Sequence, residues 1–281
     1  MALLPFYCRR LPIFPRRWSF HLRTVRKICE IQVYYIEKHA KKQEISASFS
    51  CSLPIRVVCF PQQGKRGDTM TEQERMLSGR LYRADDETLM KAHVRAQTLT
   101  WKYNQTSPED RDGRTAILRE LLGRVGENCW IEPAFRCDYG SQISIGDAFY
   151  ANYDCIFLDV APITIGSHVL LGPRVCLYTA GHPTTPEVRD TGLEFGLPIT
   201  IGDSVWIGGN TVVCPGVTIG SGSLIAAGSV VTRDIPSRVI AAGNPCRVLR
   251  PLTDADRAKW EAQRQEYGQD MKPEGSTPSE A

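Results

Sequence analysis

The chain has 281 residues, 42% of them hydrophobic, which is enough for one well-filled core with appended segments. Its net charge of +3 is spread unevenly, because residues 1–69 carry thirteen Lys/Arg and four Asp/Glu whereas the rest carries 21 and 27. The main part is therefore acidic and lacks a basic stripe with interleaved aromatics, which gives no case for nucleic-acid binding. The ten cysteines show no C-x-x-C and no metal-ligand spacing, so we expect buried free thiols in a reducing compartment.

Residues 1–69 are predicted to be a basic, disordered N-terminal extension, for which two interpretations stay open. Seven Arg/Lys and no acidic residue precede Glu30, a composition that resembles a mitochondrial transit peptide. Three prolines interrupt any amphipathic helix in this stretch, which favours a plain disordered tail and an ordered protein that begins near Met70. The second interpretation predicts a cytoplasmic protein, and the first a mitochondrial one. No apolar run here approaches the roughly twenty residues that a membrane span needs.

Residues 71–123 are predicted to form a helical cap with two main helices. The first helix should begin at Asp85-Asp86, because acidic residues favour a helix start, and should end at Asn104. Five apolar residues at helical spacing define its predicted buried face: Leu89, Met90, Val94, Leu99 and Trp101.

The second predicted helix of the cap begins near residues 107–109, where Pro108 suits the first turn. Gly123 is expected to end it, because glycine is the usual residue just beyond a helix C-terminus. Four apolar residues lie along one side of this helix: Ile117, Leu118, Leu121 and Leu122.

Residues 125–252 are predicted to form a parallel β-helix built from six-residue repeats. Between 201 and 234 the repeat is unbroken, and six aliphatic residues open its units: Ile201, Ile207, Val213, Ile219, Ile225 and Val231. Neither the period of 3.6 of a helix nor the period of 2 of a strand fits this spacing, whereas a hexapeptide period is typical of a parallel β-helix. Three units make one triangular coil, and coils stack at a spacing of about 4.8 Å.

The earlier repeats are less regular. They begin at Val125 and slip by two residues twice, after Cys137 and before Ile165, which predicts small turn insertions. Residues 178–198 break the repeat altogether, and a loop of this length inside a compact domain is usually either functional or disordered. Because it contains the sequence TAGHP, we expect a functional loop.

The C-terminal residues 253–281 are predicted to leave the β-helix. A short helix is expected near 254–266. The remaining polar residues, 268–281, carry too few apolar side chains to fold and are predicted to be disordered.

Residues 71–252 resemble the maltose, galactoside and nodulation O-acetyltransferases of the hexapeptide-repeat superfamily. Six blocks carry the resemblance, in the family's order and spacing: SGRLY (78–82), FYAN (149–152), TAGHP (179–183), PITIG (198–202), VWIGG (205–209) and AGNPCRV (242–248). The resemblance implies a left-handed parallel β-helix that forms a homotrimer with active sites between subunits. It also implies transfer of an acetyl group from acetyl-CoA to a hydroxyl of a small sugar, in a ternary complex without an acyl-enzyme and without a metal.

The expected catalytic residues are His182, Asn152 and Glu194. A sugar hydroxyl is a poor nucleophile until a base removes its proton, and an imidazole suits the role that the resemblance implies for His182. The resemblance places Asn152 where an amide binds the acceptor and stabilises the developing oxyanion. Glu194 is expected to orient His182, as the third group of a catalytic triad orients its base.

Four residues are predicted to bind the acceptor: Asp85, Asp138, Asn152 and Asp159. Three of them depart from the family's pattern. Asp85 lies one position beyond the family's acceptor-binding aspartate, and Asp138 replaces a serine of the galactoside members. Asp159 is followed by Val160 instead of a second acid. These departures favour an acceptor of the maltose or glucose type over a galactoside.

The family's pattern places Gly209 and Ala227 along the pantetheine arm of acetyl-CoA, bound through backbone groups, with Trp206 packed nearby. Arginine suits the phosphates of the same molecule because its planar fork can donate two hydrogen bonds at once. Four residues match positions near its adenosine and phosphates: Thr232, Arg233, Arg247 and Arg250.

Two other functions stay open from the sequence. A hexapeptide acetyltransferase could use a non-sugar acceptor such as an amino acid, an antibiotic or an amino sugar, and a non-catalytic scaffold could share the fold. The cap at 71–104 favours a sugar, since it marks the maltose-type branch of the family. A zinc-dependent carbonic anhydrase on this fold needs three histidine ligands, whereas the β-helix region offers only His168 and His182.

Overall fold

The computed structural model describes residues 70–270, so the predicted N-terminal extension (1–69) and residues 271–281 of the predicted tail lie outside the described residues. No helix in this part of the chain is both long enough and apolar enough to cross a membrane. The described helices are α1 (Glu72–Leu77), α2 (Glu87–Gln105), α3 (Arg111–Leu121), α4 (Pro186–Arg189) and α5 (Asp254–Asp270).

Short strands make up most of the rest of the described chain. They are β1 (Tyr82–Arg83), β2 (Arg124–Val125), β3 (Trp130–Ile131), β4 (Arg136–Cys137), β5 (Ile143–Ile145), β6 (Tyr150–Ala151), β7 (Ile156–Leu158), β8 (Ile163–Ile165), β9 (Leu170–Leu171), β10 (Cys176–Tyr178), β11 (Ala180–Gly181), β12 (Leu193–Gly196), β13 (Ile199–Ile201), β14 (Trp206–Ile207), β15 (Val212–Val213), β16 (Thr218–Ile219), β17 (Leu224–Ile225), β18 (Val230–Val231), β19 (Val239–Ala242) and β20 (Arg247–Pro251).

Three long sheets form the sides of a triangular prism. Face 1 contains β2, β5, β8, β13 and β16, and face 3 contains β4, β7, β10, β15 and β18. Face 2 contains β3, β6, β9, β14, β17 and β19, with β20 antiparallel at its end. The chain visits faces 1, 2 and 3 in turn, so coils 1 to 5 begin at β2, β5, β8, β13 and β16, and neighbouring coils pair in parallel. The predicted parallel β-helix with a helical cap and a C-terminal helix is confirmed.

The six-residue repeat of the sequence corresponds to the spacing of the inward-facing core residues. The aliphatic residue that opens each predicted unit points inward, and burying a Val or Ile side chain stabilises the fold by roughly 1.5–3 kcal/mol. All six are at most 1% exposed: Ile201, Ile207, Val213, Ile219, Ile225 and Val231. The following residue is small because the coils approach closely at the corners. A Cβ added to Gly208, for example, would lie 2.4 Å from the backbone nitrogen of Ala227 on the next coil.

The three corners of the prism, named 1/2, 2/3 and 3/1 after the faces that they join, differ in regularity. Both predicted slips are confirmed as turn insertions at corner 3/1, between β4 and β5 in coil 1 and between β7 and β8 in coil 2. The predicted break at 178–198 leaves the prism at the same corner in coil 3, between β10 and β13. In coil 4 the corner closes directly, with Gly216 in the left-handed region at φ 79°.

The helix starts follow their capping residues. The Asp86 side chain accepts hydrogen bonds from the first turn of α2, as the sequence predicts. The prediction for the second helix is wrong by several residues, because α3 begins at Arg111 and not near 107–109. The Asp110 side chain accepts a hydrogen bond of 2.9 Å from the backbone of Gly113 and therefore sets this start. Helix α5 extends to Asp270, beyond the predicted 266.

The predicted apolar face of α2 is partly wrong. Leu89 and Leu99 are buried, but the other three residues are more than half exposed: Met90 54%, Val94 62% and Trp101 65%. The buried side instead includes Ala96 and Tyr103, because α2 lies across the open end of coil 1. The hydroxyl of Tyr103 donates a hydrogen bond of 2.5 Å to the carbonyl of Ile131, so an aromatic residue with a polar tip closes the core there.

Candidate active site

The excursion at corner 3/1 forms a small antiparallel sheet with the cap. β12 pairs with β11, so that Gly181 lies opposite Phe195. On its other edge β12 pairs with β1, so that Tyr82 lies opposite Glu194. His182 follows β11 directly and its side chain is exposed. The register of β11 and β12, continued by one residue, sets His182 opposite Glu194.

Thr179 fixes the base of this excursion to coil 2. Its side chain has no exposed surface, and its hydroxyl donates a hydrogen bond of 2.6 Å to the carbonyl of Leu158. The same hydroxyl accepts a hydrogen bond of 3.0 Å from the backbone N–H of Ala161. The Thr179 carbonyl in turn accepts one of 2.9 Å from Leu197, where the chain returns to the prism. His182 therefore follows a segment that is held at both ends.

Glu194 is bonded on one side only. Its side chain is half-buried, and its Oε2 accepts a hydrogen bond of 3.0 Å from the hydroxyl of Tyr82. Within the described residues no hydrogen bond joins Glu194 to His182. The predicted role of Glu194 in orienting His182 therefore stays a prediction, which the strand register favours.

Asp159 holds the inserted turn of coil 1. The residue has no exposed surface, and its Oδ1 accepts hydrogen bonds from the backbone N–H groups of Asp138 (3.0 Å) and Tyr139 (2.9 Å). Burial raises the pKa of this carboxyl to about 7, although the N–H donors act in the opposite direction. The predicted role of Asp159 as an acceptor ligand therefore stays a prediction that its contacts in the structure do not favour.

Asp138 lies among several polar side chains at the junction of the cap and corner 3/1. We call Tyr82, His93, Asp138, Tyr139 and Glu194 the cap cluster. Burial raises the pKa of Asp138, the charge of His93 lowers it, and the charge of Glu194 raises it, so these groups are near neighbours. The Asp138 carboxylate makes no hydrogen bond to the described residues and can meet an acceptor. No three His, Cys, Asp or Glu side chains in residues 70–270 come close enough to hold a metal ion.

Sequence reasoning missed Tyr82 and His93 as members of this cluster. Tyr82 belongs to the SGRLY block, but nothing in that block signals that its hydroxyl reaches a strand 112 residues further along the chain. His93 lies on α2, and its ring meets that of Tyr139 edge-on at 6.1 Å. The apolar spacing of α2 does not by itself identify the side of the helix that carries His93, because that side depends on where the cap packs.

Asp85, a predicted acceptor ligand, is engaged elsewhere. Its carboxylate is exposed and forms an ion pair of 2.8 Å with Arg83. The hydrogen bond from Arg83 holds the pKa of Asp85 below its usual value. An acceptor would have to compete with that guanidinium, so the role of Asp85 stays a prediction without support from a contact.

Corner 2/3 carries a column of residues in register, which starts at Glu132 in coil 1 and is small beyond Asn152. Successive coils are joined there by backbone hydrogen bonds of 2.7–2.9 Å. The part from coil 2 onward, which we call the 2/3 column, consists of Asn152 in coil 2, Gly172 in coil 3, Gly208 in coil 4 and Ala226 in coil 5. Above Asn152 no large side chain projects from it, so this corner has the shape of a shallow trough along the prism.

The predicted ligands of the pantetheine arm border this trough. Gly209 and Ala227 follow the column residues of coils 4 and 5, and the carbonyl of Gly209 accepts a hydrogen bond of 2.9 Å from Gly228. Trp206 precedes them on face 2 and is 53% exposed. At the other end, Oδ1 of Asn152 accepts a hydrogen bond of 2.8 Å from its neighbour's N–H. Its Nδ2 has no partner within the described residues and can donate to a ligand.

The predicted phosphate ligands are less uniform. Arg233 and Arg247 are exposed, but the guanidinium of Arg250 already forms two hydrogen bonds, of 2.6 and 2.8 Å, to Asp256 of α5. This pairing holds the pKa of Asp256 far below its usual range. Thr232 is 4% exposed, so its predicted place near the cofactor's adenosine and phosphates stays a prediction that no exposed side chain supports.

Within one subunit the candidate residues form two separate groups. His182, Glu194 and Asp138 lie at corner 3/1, whereas Asn152 and Gly209 lie at corner 2/3, and the whole width of face 3 separates the two corners. A side of about six extended residues measures on the order of 20 Å. A single subunit therefore does not bring the predicted base and the predicted oxyanion donor together.

Comparison with known proteins gives two family models and close relatives. The maltose acetyltransferase hexapeptide capping motif matches residues 75–126, and the bacterial transferase hexapeptide (six repeats) matches residues 198–233. The galactoside O-acetyltransferase of Escherichia coli (strain K12) is 44% identical over 188 residues, 67% of this chain and 93% of that protein.

Two solved structures are similar over the same part of the chain. A maltose O-acetyltransferase from Clostridium difficile 630 is 49% identical with a TM-score of 0.65, and the match covers 66% of this chain and 100% of that one. A galactoside acetyltransferase in complex with coenzyme A is 44% identical with a TM-score of 0.66, covering 67% and 94% of the two chains.

A prism of six-residue repeats, closed by a helical cap and interrupted at one corner by a histidine-bearing loop, defines a hexapeptide-repeat acyltransferase. The chain belongs to the galactoside and maltose O-acetyltransferase family, whose members are acetyl-CoA-dependent O-acetyltransferases. The predicted resemblance and the predicted class of enzyme are confirmed.

Proposed function

We propose that this protein transfers the acetyl group of acetyl-CoA to a hydroxyl of a small sugar of the maltose or glucose type, with His182 as general base. The position of His182 carries the proposal. Its side chain is exposed directly after β11, and the strand register, continued by one residue, sets it opposite the half-buried Glu194. An exposed imidazole beside a carboxylate that the fold holds is the pairing that general-base catalysis uses.

In the proposed reaction, His182 takes the proton of the acceptor hydroxyl while the hydroxyl oxygen attacks the thioester carbonyl carbon. Negative charge then develops on the carbonyl oxygen, and Nδ2 of Asn152 is a suitable donor to it. The new C–O bond forms and the C–S bond breaks. The imidazolium returns its proton to the leaving thiolate, so the products are the acetylated acceptor and free coenzyme A.

The trough at corner 2/3 supports the proposed binding of acetyl-CoA. An extended chain with amide groups can lie along it, because the column is glycine or alanine from coil 3 onward and Gly172 and Gly209 are only partly buried. A Cβ on Gly209 would already lie 3.0 Å from Pro173, so this corner has little room for larger residues. Arg233 and Arg247 are exposed and suit the phosphates at the far end.

A homotrimer with active sites between subunits is part of the proposal. The base lies at corner 3/1 and the oxyanion donor at corner 2/3, so a neighbouring subunit that sets one corner against the other completes each site. The outward-facing side chains support this assembly. Face 1 shows a polar ladder of Arg124, Ser144, Thr164, Thr200 and Thr218.

Faces 2 and 3, which meet at corner 2/3, are apolar outside. The outward ladder of face 2 is Trp130, Tyr150, Leu170, Trp206, Leu224 and Ile240. The outward ladder of face 3 runs from Arg136 through Ile156 and Cys176 to Val212, whereas Val230 at its end is only 6% exposed. Contiguous exposed apolar surface of this kind marks a protein interface, and closed cyclic symmetry is the usual arrangement of identical subunits.

The cap cluster supports a polyhydroxylated acceptor, because carboxylates accept hydrogen bonds from neighbouring sugar hydroxyls. Asp138, which carries no hydrogen bond within the described residues, is the clearest candidate. The same negative charge favours a second candidate, an acceptor with an ammonium group such as an amino sugar, an amino acid or an antibiotic. A panel of acceptors separates the two.

The first experiment measures thiol release from acetyl-CoA by the full-length protein with glucose, maltose, a galactoside, serine and chloramphenicol as acceptors. The His182→Ala variant is assayed in parallel and is expected to lower turnover by roughly 10²–10⁴-fold with the fold intact. Release that depends on glucose or maltose supports the proposed acceptor, and release with serine alone favours the second candidate. Release with chloramphenicol alone, which has hydroxyls but no ammonium group, contradicts both. Near-normal turnover in His182→Ala contradicts the role of the base.

We propose a cytoplasmic location. The cysteines of the described residues are all free, which suits a reducing compartment: Cys129, Cys137, Cys155, Cys176, Cys214 and Cys246. The mitochondrial alternative depends on residues 1–69 and is tested by imaging the full-length protein against a variant that begins at Met70.

A further inference from the structure

The small sheet at corner 3/1 joins the cap to the histidine loop through one buried hydroxyl. Tyr82 has no exposed surface, and its ring packs in a cluster with Met76, Leu89 and Val160. Core packing therefore fixes the position of the hydroxyl, which donates to Oε2 of Glu194 at 3.0 Å. No other hydrogen bond to the Glu194 carboxylate exists within the described residues.

The strand register places three side chains in one row. Tyr82 is opposite Glu194 on one edge of β12, and position 182 is opposite Glu194 on the other edge when the register is continued by one residue. Directly opposed residues of antiparallel strands project to the same side of a sheet. A carboxylate has two oxygens, and Tyr82 bonds Oε2, so Oε1 stays available to an imidazole N–H.

We propose that Tyr82 is a positioning residue for the transfer reaction: its hydroxyl holds the Glu194 carboxylate so that the second carboxylate oxygen meets the imidazole of His182. The inference rests on the proposed function, because it assumes that His182 is the base. It adds a residue of the cap to the machinery, which means that the cap takes part in the chemistry as well as closing the core. The proposed chain of groups then runs from the base, His182, to the Glu194 carboxylate and on to the buried Tyr82 hydroxyl.

The groups that face Tyr82 favour this donor role. Glu194 faces it from β12, Asp138 and Tyr139 face it from the inserted turn of coil 1, and His93 of α2 belongs to the same cluster. Burial, together with the negative charge of Glu194, raises the pKa of the Tyr82 hydroxyl well above its usual value. The Tyr82 hydroxyl therefore stays protonated over the pH range in which the enzyme works. It acts only as a hydrogen-bond donor that holds the Glu194 carboxylate in place.

The test replaces Tyr82 by Phe, which removes the hydroxyl and keeps the ring in its packed cluster. We expect kcat to fall about tenfold, since a hydrogen bond to a charged group is lost, while KM for acetyl-CoA stays unchanged. The acidic limb of the pH–rate profile should move to lower pH, because an imidazole without a fixed carboxylate neighbour loses its proton more easily. The Glu194→Gln variant should shift the limb in the same direction.

A double-mutant cycle decides whether Tyr82 acts through Glu194. We expect Tyr82→Phe to add little to the loss in Glu194→Gln, because both changes break the same chain of contacts. Multiplicative losses, or a Tyr82→Phe variant with an unchanged pH limb, overturn the proposal. So does a Tyr82→Phe variant that changes only KM for the acceptor, because Glu194 would then contact the acceptor instead.

Tyr103→Phe is the matched control. Tyr103 is buried like Tyr82 and its hydroxyl also donates one hydrogen bond, but to the backbone carbonyl of Ile131 in coil 1, so the pH profile should not change. Tyr82→Leu, which also lacks the hydroxyl, must reproduce the pH shift if Tyr82→Phe proves unstable. His182→Ala separates the two ideas: normal turnover there defeats the proposed function, whereas an inactive His182→Ala beside an unaffected Tyr82→Phe defeats only the role of Tyr82.

Discussion

Corners 2/3 and 3/1 of the same prism differ in regularity and in the residues that they carry. At corner 2/3 every coil turns in the same way, and from coil 3 onward its column is reduced to Gly172, Gly208 and Ala226. At corner 3/1 the first three coils insert extra residues, and the insertions carry the buried Asp159, the buried Tyr139 and the histidine loop. The regular corner thus offers backbone to a ligand, and the irregular corner offers side chains.

The difference has a physical origin. Stacked coils approach so closely at corner 2/3 that a Cβ on Gly172 would lie 2.5 Å from the nitrogen of Gly209, so this corner cannot carry large functional groups. Extra residues at corner 3/1 move the chain away from the neighbouring coils and create room for polar side chains. In the proposed assembly, the interrupted corner of one subunit supplies the reactive side chains, and an uninterrupted corner of a neighbour supplies the rest of the site.

The largest expected effect tests whether the two corners meet between subunits. We expect His182→Ala to lose roughly 10²–10⁴-fold in turnover and Asn152→Ala roughly 10²–10³-fold, since an oxyanion donor is removed. When both variants are co-expressed in equal amounts, about a quarter of the sites combine an intact corner from each chain if subunits mix at random. Thiol release should therefore rise far above that of either variant.

The mixing experiment has a clear control. Each inactive protein, prepared alone under the same conditions, must stay inactive. The double variant His182→Ala/Asn152→Ala must show no recovery when mixed with either single variant, because every chain of that mixture lacks the same group. Absence of any recovery in a mixed assembly, shown by two affinity tags on one particle, would mean that His182 and Asn152 act within one chain or not together.

The next effect compares the outer surfaces of two faces in coil 3. Leu170 on face 2 is 48% exposed, and a charge there should disrupt an apolar interface. We expect Leu170→Asp to sediment as a smaller species and to lose about tenfold or more in activity. Thr164→Asp on the polar face 1 is the matched control and should keep both assembly and activity. Equal behaviour of the two variants would contradict the proposed interface.

Much of the fold is predictable from the sequence because the six-residue period is typical of a parallel β-helix. An inward aliphatic residue every six positions and a small neighbour at the corner leave few other structures, and the slips after Cys137 and before Ile165 mark the insertions. The exposed face of α2 was not predictable in the same way. Met90 and Val94 have the spacing of a core stripe, and only the position of the cap on coil 1 decides which side of the helix is covered.

The sequence predicts which residues belong to the site, but it does not predict which of them contact one another. Asp159 was predicted to bind an acceptor because of the resemblance to galactoside members of the family, yet three backbone N–H groups of a turn some twenty residues earlier surround its carboxylate. Conversely, Tyr82 reaches Glu194 through a register between strands 112 residues apart, which no local pattern records. Contacts of this kind depend on how a turn insertion folds against the cap.

The smallest expected effect concerns the pH dependence of stability at corner 3/1. Burial raises the pKa of Asp159 to about 7, so the folded protein keeps a proton there that the unfolded chain loses above about pH 4. Because the folded state binds more protons between these two values, the free energy of unfolding falls as the pH rises from about 4 to 7. Asp159→Asn cannot ionise, and its amide oxygen can still accept from Asp138 and Tyr139.

We therefore expect the free energy of unfolding of the wild type, relative to Asp159→Asn, to fall by about 2–4 kcal/mol between pH 4.5 and 7.5. Urea denaturation of both proteins at equal concentration measures the difference at each pH. A Thr164→Ala variant on face 1, where nothing titrates, should give a curve parallel to that of the wild type. Parallel curves for wild type and Asp159→Asn would mean that the backbone donors outweigh burial and keep the Asp159 carboxylate ionised. Corner 3/1 would then hold a negative charge instead of a proton.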